Sequence, residues 1–301
     1  MRLLSILLII IVNYNVENLF HPKHDSVMVD SVWVEKDDYE WTPESNRHWS
    51  YKRYYNKVDN IARVLTNIGE WNGVDIVGLQ EVENAWCMSR LCRTMRAGEY
   101  DFVHYESPDK RGIDVALLYR KSRVDTLRTR ALQVDLGQQT TRDILYVCAA
   151  VDKRDTLHLF VCHLPSQRGG KAESEWKRDQ AKRVLHTTID SVMALHSNAK
   201  IIVMGDMNSA PTDDLRGLTN CMVTIKGGTH KYHGQWTCLD QFYTSSSIDS
   251  ISDVRIYDAE WIQETDEKHM GLKPKRTYNG FKYQNGYSDH LPIVMDIKLN
   301  K

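Results

Sequence analysis

The chain has no surplus of charge of either sign. Its 301 residues include 39 lysines and arginines against 40 aspartates and glutamates, which gives a formal net charge of −1. Non-specific affinity for nucleic acid depends largely on neutralising phosphate groups, so this balance argues against a protein that binds long stretches of duplex tightly. A local basic patch is still compatible with it.

Cysteine is present, but not in the patterns that build sites. The six cysteines show neither the CxxC spacing of a zinc site nor the density of a disulfide framework. Cys148 and Cys162 lie in apolar strand-like runs, where we expect buried, reduced thiols. We therefore expect no cysteine-based metal centre.

Repeats, low-complexity segments and Gly/Ser-rich linkers are also missing. With 42% hydrophobic residues the chain can bury a full core, and we expect residues 1–301 to form a single domain. One apolar run, Met1–Val12, has the character of a signal-peptide core or of a buried first strand, and it is too short to span a bilayer comfortably as a helix. We expect no stable membrane insertion, and both a cytoplasmic and an exported or periplasmic location stay open.

Hydrophobic periodicity predicts both helices and strands. Apolar residues recur at three- and four-residue spacing in segments that predict helices over Tyr51–Ile68, Trp86–Met95 and Ala172–His196. His21–Ser50 has no clear period and is expected to be a long ordered loop. Strand groups with a few long amphipathic helices indicate an α+β or layered sandwich whose helices cover sheets. Besides the first apolar run, the predicted strands are Asp75–Glu81, Tyr100–Tyr105, Asp114–Tyr119, Ile144–Val151, Leu157–Cys162, Lys200–Met204, Trp236–Tyr243, Ile251–Ile256 and Leu291–Leu299.

The segment Met204–Pro211 places polar side chains directly after a predicted buried strand. Asp206 and Asn208 stand two residues apart there, next to Gly205 and Pro211, which turn the chain. Held close to a rigid sheet, both side chains can face one reaction centre, where a carboxylate accepts a proton or binds a cation and an amide orients a substrate oxygen. Asp and Asn after a strand are more often simple turn formers, so this segment alone does not decide the function.

Polar residues of the same chemical kind recur at six predicted strand ends. Carboxylate and amide oxygens suit a hard cation such as Mg²⁺ or Mn²⁺, histidines can donate to a phosphoryl oxygen, and a further carboxylate can activate water. Each residue alone has a structural explanation, but polar groups that cluster at sheet edges must find partners or water. Together they predict metal-assisted phosphoester hydrolysis. The positions are Asn15, Glu81, His163, Asp206 with Asn208, Asp240, and Asp289 with His290.

Four segments spread from the first predicted strand to the last, Asn15–Leu19, Leu79–Asn84, Gly205–Asn208 and Ser288–Ile293. In this order they resemble the motifs of the endonuclease/exonuclease/phosphatase superfamily, which has the deoxyribonuclease I-like fold. The resemblance implies an α+β fold, a four-layer sandwich of two packed mixed β-sheets flanked by α-helices, with the site at one edge of the sheets. Further stretches, among them His163–Gly170, are similar to a less characterised bacterial branch and do not identify a substrate.

The resemblance implies a metal site and its ligands. Glu81 resembles the principal ligand of Mg²⁺ or Mn²⁺ in that superfamily, assisted by Asn15 and Asp289. Because two close carboxylates repel each other, Glu81 and Asp289 need a cation to stay ionised side by side without large pKa shifts.

The resemblance also implies roles in bond breaking. Asp206 is expected to orient or deprotonate the attacking water, with Asn208 beside it, and His290 to stabilise the pentacovalent phosphate. Asp240 resembles the carboxylate that fixes the tautomer of that histidine. His163 resembles the second histidine of the deoxyribonuclease and sphingomyelinase branches.

Substrate contacts are the part that the sequence determines least. Arg142 resembles a phosphate-contacting arginine of the superfamily, and we expect Arg111 and Asn208 to bind the substrate phosphate as well. Aromatic residues in the presumed loops can stack on a base, although such residues equally often pack under their own loops. The remaining candidates are Arg168, Lys171 and Lys231 for a basic rim, and Tyr232, Trp236, Tyr278 and Tyr287 for stacking.

These observations predict a divalent-metal phosphodiesterase with modest, salt-sensitive nuclease activity, not a sequence-specific nuclease. A sphingomyelinase-like enzyme or an inositol-phosphate phosphatase of the same fold is one alternative. A catalytically inactive binding protein is an alternative of another class, against which the intact set of mutually repelling carboxylates argues. We expect a monomer with a phosphoester substrate, nucleic acid bound only weakly, and no obligate protein partner.

Overall fold

The computed structural model describes residues 8–29, 32–96, 98–167, 170–211, 215–248 and 250–299. Its α-helices are α1 (Tyr51–Gly69), α2 (Ala85–Arg96) and α3 (Lys171–Leu195), and short 3-10 helices lie at Tyr39–Trp41 and Glu260–Ile262. The strands are β1 (Leu8–Leu19), β2 (Ser26–Val29), β3 (Val32–Glu35), β4 (Ile76–Val82), β5 (Tyr100–His104), β6 (Asp114–Arg120), β7 (Val124–Leu132), β8 (Ile144–Val151), β9 (Asp155–His163), β10 (Lys200–Asp206), β11 (Thr219–Asn220), β12 (His230–Tyr232), β13 (Gln235–Thr237), β14 (Asp240–Thr244), β15 (Ser250–Ile256), β16 (Gln263–Thr265), β17 (Leu272–Pro274), β18 (Tyr278–Asn279), β19 (Lys282–Tyr283) and β20 (Ile293–Lys298).

Two six-stranded mixed sheets form the centre of the molecule. The first has the order β15-β20-β1-β4-β6-β5, and the second has the order β11-β14-β10-β9-β8-β7. In the first sheet β1 and β4 are parallel, and in the second β9 and β10 are parallel, while their other neighbours run antiparallel. Small two-stranded hairpins lie outside these two sheets at β2-β3, β12-β13, β16-β17 and β18-β19.

Three layers of buried side chains hold the sheets and helices together. One layer packs α1 and α2 on the outer face of the first sheet, a second lies between the two sheets, and a third packs α3 on the second sheet. In α1 the apolar residues Val58, Ile61 and Leu65 are fully buried against the first sheet. Each such side chain contributes about 1.5–3 kcal/mol, so a helix with one apolar face is fixed firmly in this position. The predicted α+β four-layer sandwich is confirmed.

The two-residue period of the strands decides which side chains reach the layer between the sheets. In β1 Val12 and Tyr14 pack under the helices, whereas Ile9 and Ile11 face the other sheet. Continuing the same alternation places Asn13 and Asn15 in the inter-sheet layer as β1 approaches the sheet edge. In β10 the alternation likewise brings Asp206 into line with Ile202 and Met204, which face the first sheet.

The polar residues meet because strands of opposite direction converge at one edge. The carboxyl ends of β4, β9 and β10 lie there together with the amino ends of β14 and β20, which run antiparallel to their partners. The register of the second sheet sets Asp206 directly opposite His163 on one side and Asp240 on the other. Three of the predicted site residues therefore form a single row across the sheet.

The helix predictions are confirmed, but several strand predictions were wrong. His21–Ser50 is not only a loop, because it contains the hairpin β2-β3 and a 3-10 helix. The predicted strand Trp236–Tyr243 is broken into β13 and β14, which belong to different sheets. β7 was not predicted; it is an edge strand with many exposed positions and therefore lacks a long apolar run.

Part of the apolar leader belongs to the first strand. β1 begins at Leu8, so the second half of Met1–Val12 is built into the sheet, while residues 1–7 lie outside the described residues. Within the described part of the chain no helix has the length and hydropathy needed to cross a membrane.

Candidate active site

Most of the predicted site residues line one cavity of about 520 Å³ at the edge where the sheets meet. Asn15 and Asp240 are buried directly behind these residues. The cavity is also lined by Tyr232, which we expected to stack on substrate, and by His230 and Arg276, which the sequence analysis did not single out. The predicted residues among its lining are Glu81, Arg111, His163, Asp206, Asn208, Asp289 and His290.

Asn15 joins the carboxylates of the two sheets. Its Nδ2 donates to Asp206 Oδ2 at 3.2 Å and approaches Glu81 Oε1 at 3.5 Å. Its Oδ1 accepts the backbone N–H of Glu17 at 3.1 Å. The carboxamide presents its donor to Glu81, so Asn15 contacts that carboxylate through a hydrogen bond, and its role as a metal ligand stays a prediction.

Glu81 is aimed into the cavity by an irregularity in β4. Its φ is 64°, in the left-handed region that non-glycine residues rarely adopt, and the register of β4 against β6 shifts between Gln80 and Val82. A bulge of this kind re-aims one side chain out of the regular alternation, at a local conformational cost. Asn18 holds the Glu81 carboxylate in this orientation, since the Asn18 backbone N–H donates to Glu81 Oε2 at 2.9 Å.

Asp206 and Asn208 form a tight turn after β10. Asp206 Oδ1 accepts the backbone N–H of Asn208 at 2.9 Å, and the Asn208 side chain donates to the Leu164 carbonyl at 2.9 Å. Gly205 is needed just before the turn, because a Cβ there would lie 2.1 Å from the carbonyl oxygen of Cys162 in β9. The turn therefore fixes the Asp206 carboxylate. The Asn208 amide nitrogen is already used in a hydrogen bond within the protein.

Two histidines flank Asp206 from opposite sides. His163 Nε2 lies 3.6 Å from Asp206 Oδ2 and 4.0 Å from Glu81 Oε1. His290 Nε2 lies 3.8 Å from the same Asp206 oxygen. A phosphate placed in the cavity would thus meet an imidazole nitrogen on each side of the carboxylate.

A buried chain of hydrogen bonds orients His290. Its Nδ1 is 2.7 Å from Asp240 Oδ2, and Asn13 Nδ2 donates to the other Asp240 oxygen at 3.3 Å. Gln80 Nε2 in turn donates to Asn13 Oδ1 at 2.7 Å. This arrangement favours the proton on Nδ1 of His290 and leaves Nε2 facing the cavity.

The pKa values of Asp206, His163 and His290 are shifted from their ordinary values. Burial raises the pKa of the Asp206 carboxyl to about 7, although the nearby His290 opposes the shift. Burial, reinforced by the charges of Arg142 and Arg111, lowers the pKa of His163 well below its ordinary value, so this imidazole is neutral. For His290, burial lowers the pKa, but Asp240 and Asp206 outweigh burial and raise it well above its ordinary value. The site thus pairs a neutral histidine with a charged one.

Asp289 is held by a partly buried network of ion pairs that sequence reasoning missed. Arg276 Nη2 is 2.7 Å from Asp289 Oδ2, and Arg276 Nε is 3.1 Å from Glu17 Oε1. Behind them Lys57 of α1 lies 3.7 Å from Glu17 Oε2 and donates to the Tyr287 carbonyl at 2.6 Å. Burial raises the pKa of Asp289, but Arg276 and His290 outweigh burial and lower it to about 2.

The donor set of the cavity fits a hard divalent cation. Glu81 and Asp289 supply carboxylate oxygens, which Mg²⁺ and Mn²⁺ prefer. His230, Asp289 and His290 also offer ligand atoms that lie within 4.8 Å of one another. A second such group, His104 with Glu106 and Asp114, lies outside this cavity. There Glu106 is paired with Lys36 Nζ at 2.7 Å, and Asp114 lies 3.3 Å from His104 Nε2.

Comparison with known proteins agrees with this geometry. A family model described as the endonuclease/exonuclease/phosphatase family matches residues 10–299. The chain belongs to the endonuclease/exonuclease/phosphatase family. Members of the family are phosphoesterases, so the chain is assigned to a class of phosphoester hydrolases that generally depend on a divalent metal.

Solved structures of this family share the fold of the chain at low sequence identity. Truncated TDP2 of Caenorhabditis elegans is 14% identical with a TM-score of 0.63, over 97% of this chain and 98% of that chain. A family protein of Bacteroides thetaiotaomicron is 12% identical with a TM-score of 0.64, over 98% and 99%. The mannosyl-6-phosphatase Bt3783 of Bacteroides thetaiotaomicron is 12% identical with a TM-score of 0.62, over 95% and 98%. A search of curated proteins gives no match.

Within this family fold, Arg142 does not lie where the sequence placed it. Its guanidinium donates to Asp109 Oδ2 at 3.0 Å and to the carbonyls of His163 and Leu164 at 3.1–3.2 Å. The side chain is buried, and it does not line the cavity that contains Glu81, Asp206 and Asp289, which we call the acidic cavity. The expected phosphate contact is therefore corrected: Arg142 ties the 105–113 loop to the end of β9 and positions His163.

The wider rim and the aromatic residues also differ from expectation. Lys231 is a buried ion-pair partner, 3.0 Å from Asp266 Oδ2, and does not form part of a rim. Tyr278 and Tyr287 are core residues, whereas Tyr232 is 68% exposed and lines the cavity. Arg168 lies outside the described residues, as does the side chain of Lys171.

Some of the missed residues left a signal in the sequence and some did not. Asn13 and Gln80 are polar residues at inward positions of apolar strands, which indicates buried hydrogen bonding. Glu17 lies within the first family motif. Lys57 and Arg276 are 219 positions apart and follow no local pattern, so their joint role becomes visible only in the folded chain.

Proposed function

We propose that the chain is a divalent-metal-dependent phosphodiesterase that uses an activated water. The observation that carries this proposal is the row of His163, Asp206 and Asp240 across one sheet, facing Glu81 and Asn15 of the other sheet. Together with Glu81, Asp289 and His290, this row places a proton acceptor, two histidines and the proposed metal-binding carboxylates around one cavity. These are the groups that phosphoester hydrolysis requires.

Glu81 and Asp289 would hold the metal, for which Mg²⁺ or Mn²⁺ is the proposed ion. When bound, the cation supplies charge neutralisation and polarisation of a phosphoryl oxygen. Asn15 and the backbone of Asn18 keep Glu81 in position, and Arg276 keeps Asp289 in position.

Asp206 would orient the attacking water and take its proton. The water oxygen forms the new bond to phosphorus, the bond from phosphorus to the leaving oxygen breaks, and the leaving oxygen takes a proton from solvent. His163 and His290 would donate hydrogen bonds to the phosphoryl oxygens as negative charge develops there. Asp240 accepts the Nδ1 proton of His290 in a hydrogen bond and stabilises the charged ring, so that Nε2 keeps the proton it donates.

One feature supports a catalytic site over an inert binding site, and another supports a diester as the substrate. The acidic cavity has several carboxylates that repel one another, and a site without a catalytic task has little physical reason to hold them together. A neighbouring cavity shares Arg111 and Ser166 with this one, which would leave room for a second ester group beside the phosphorus.

A substrate panel tests this proposal. Purified protein with Mn²⁺ or Mg²⁺ would be assayed on bis(4-nitrophenyl) phosphate and 4-nitrophenyl phosphate, then on plasmid DNA, RNA, sphingomyelin and inositol phosphates. We expect the diester to be hydrolysed faster than the monoester, with only modest turnover of DNA. Faster hydrolysis of the monoester would contradict the diester assignment, and no hydrolysis of any substrate would favour the inactive binding protein.

A further inference from the structure

A second cavity of about 520 Å³ adjoins the acidic one. The two cavities share Arg111 and Ser166, which form the ridge between them. The second cavity extends from this ridge towards the loop before β8 and the first turns of α3. A substrate held in the acidic cavity can therefore continue across the ridge without leaving the protein surface.

The two cavities differ in their balance of charge. In the acidic cavity the carboxylates of Glu81, Asp206 and Asp289 stand beside two arginines, so the charges largely offset one another. Among the described residues, the lining of the second cavity includes four cationic residues and one carboxylate, that of Asp109. A basic cavity is unexpected in a chain whose net charge is −1, so this arrangement concentrates positive charge locally. The four cationic residues are Lys110, Arg111, Arg142 and Lys177.

Apart from Leu136 and Pro165, the other described lining residues of the second cavity are polar, and most of them can donate hydrogen bonds to an anion. Gln138, Gln139 and Thr140 offer amide and hydroxyl groups from the loop before β8. Lysines that stand beside such donors are a common arrangement for binding phosphate oxygens. The aromatic side chains that would bind an acyl chain or stack on a base do not occur in the described lining of this cavity.

Buried arginines fix the wall between the cavities. Arg142 binds Asp109 and the carbonyls of His163 and Leu164, so it joins the floor of the second cavity to the catalytic row. Arg178 of α3 donates to the Pro165 carbonyl at 3.1 Å and supports the chain just before Ser166. The distance between the two cavities is therefore fixed by internal ion pairs and hydrogen bonds. A site that binds two groups at a set distance requires such rigidity.

We propose that the second cavity binds a further phosphate group of the same substrate molecule, so that the preferred substrate carries at least one phosphate beside the phosphoester that is cleaved. This inference rests on the proposed phosphodiesterase function and narrows its substrate class. The exposed Lys110 and the half-buried Lys177 supply the charge for this second phosphate. A nucleotide chain is the scaffold we expect, because successive phosphates follow one another along it.

Matched chromogenic esters test the proposal. Thymidine 5′-(4-nitrophenyl phosphate) would be compared with its 3′-phosphorylated form, and thymidine 3′-(4-nitrophenyl phosphate) with its 5′-phosphorylated form, so that either direction of binding is covered. We expect the added phosphate to raise kcat/KM at least about tenfold in one pair, as a charge-assisted contact would. The measured quantity is this ratio, which does not depend on the fraction of active enzyme.

The same ratio would be measured in Lys110→Gln/Lys177→Gln and in the charge-matched control Lys52→Gln/Lys226→Gln, whose lysines are exposed and line neither cavity. We expect the advantage of the added phosphate to fall to about threefold or less in the first variant and to persist in the control. No advantage in either pair, or an advantage that survives in Lys110→Gln/Lys177→Gln, would overturn the second phosphate site. If none of the esters is hydrolysed with Mn²⁺ present, the proposed function itself fails.

A competition assay distinguishes the source of the second phosphate. Inositol hexakisphosphate and the dinucleotide pTpT would each be tested as inhibitors of ester hydrolysis by the natural chain and by Lys110→Gln/Lys177→Gln. Stronger inhibition by pTpT that weakens in the variant supports the nucleotide scaffold. Stronger inhibition by inositol hexakisphosphate that weakens in the variant keeps the phosphate site and overturns the nucleotide scaffold. Inhibition that is equal in both proteins overturns the site.

Discussion

Asn15 and Asp206 belong to different sheets and are 191 positions apart, yet Asn15 Nδ2 lies 3.2 Å from Asp206 Oδ2. This hydrogen bond crosses the inter-sheet layer at the edge where the cavity opens. The candidate site is therefore built half on each sheet, and its geometry depends on how the sheets pack. Rigid strands position such a site more accurately than loops alone could.

Replacing the Asp206 carboxylate should remove the proton acceptor while keeping the turn. In Asp206→Asn the side-chain oxygen can still accept the Asn208 N–H, so we expect a normal fold. A general base contributes roughly 10²–10⁴-fold to the rate, and kcat should fall by that amount with a smaller change in KM. Steady-state kinetics on bis(4-nitrophenyl) phosphate give both values, and a kcat close to that of the natural chain would show that another group takes the proton.

His290 and Asp240 should differ in the size of their effects, because Asp240 acts only through His290. We expect His290→Ala to lower kcat by about 10²–10³-fold, as loss of a hydrogen-bond donor to the developing charge does. Asp240→Asn should cost about 10–100-fold, since the carboxamide can hold the ring but stabilises its charge less well.

The combined variant His290→Ala/Asp240→Asn is the control for this relationship. Its kcat should match that of His290→Ala alone, because Asp240 has no imidazole left to orient. A further large loss in the combined variant would indicate that Asp240 has a separate task.

The buried Lys57 should matter for stability more than its place on an amphipathic helix indicates. Lys57→Met leaves Glu17 without its ammonium partner and leaves the Tyr287 carbonyl and the Thr277 hydroxyl without their donor. Breaking a buried ion pair in this way costs about 3–5 kcal/mol. The exposed Lys52 on the same helix is the matched control, and Lys52→Met should change stability by less than about 0.5 kcal/mol. Urea unfolding measures both, and equal midpoints would refute the proposed ion network.

Much of the site could be predicted because single residues at strand ends carry the chemistry. Glu81, Asp206 and His290 each lie in a short local motif. Because those motifs resemble the motifs of one family, the sequence predicts that the three residues share one site. The two-residue period then explains why Asp206 faces inwards, since it follows buried apolar residues at the same face of β10. The sequence did not predict the hydrogen-bond and ion-pair partners of these residues.

Partners could not be predicted where they come from distant segments. Arg142 stands near a motif, but its role depends on Asp109 and two backbone carbonyls that only the folded loops bring close. Glu81 owes its direction to a left-handed backbone conformation, which alternation along a strand does not predict. The hairpin β2-β3 left a signal that was missed, because short runs of β-branched residues stand on both sides of a two-residue connection.

The most direct test of the account is metal binding at Glu81 measured together with turnover. Isothermal titration of Mn²⁺ and hydrolysis of bis(4-nitrophenyl) phosphate would be compared in the natural chain, in Glu81→Gln, and in Glu267→Gln, an exposed control outside the cavity. We expect Glu81→Gln to lose Mn²⁺ binding and turnover together while circular dichroism stays unchanged, and Glu267→Gln to keep both. Full turnover in Glu81→Gln, or in the natural chain with excess EDTA, would contradict a metal-dependent site at this position.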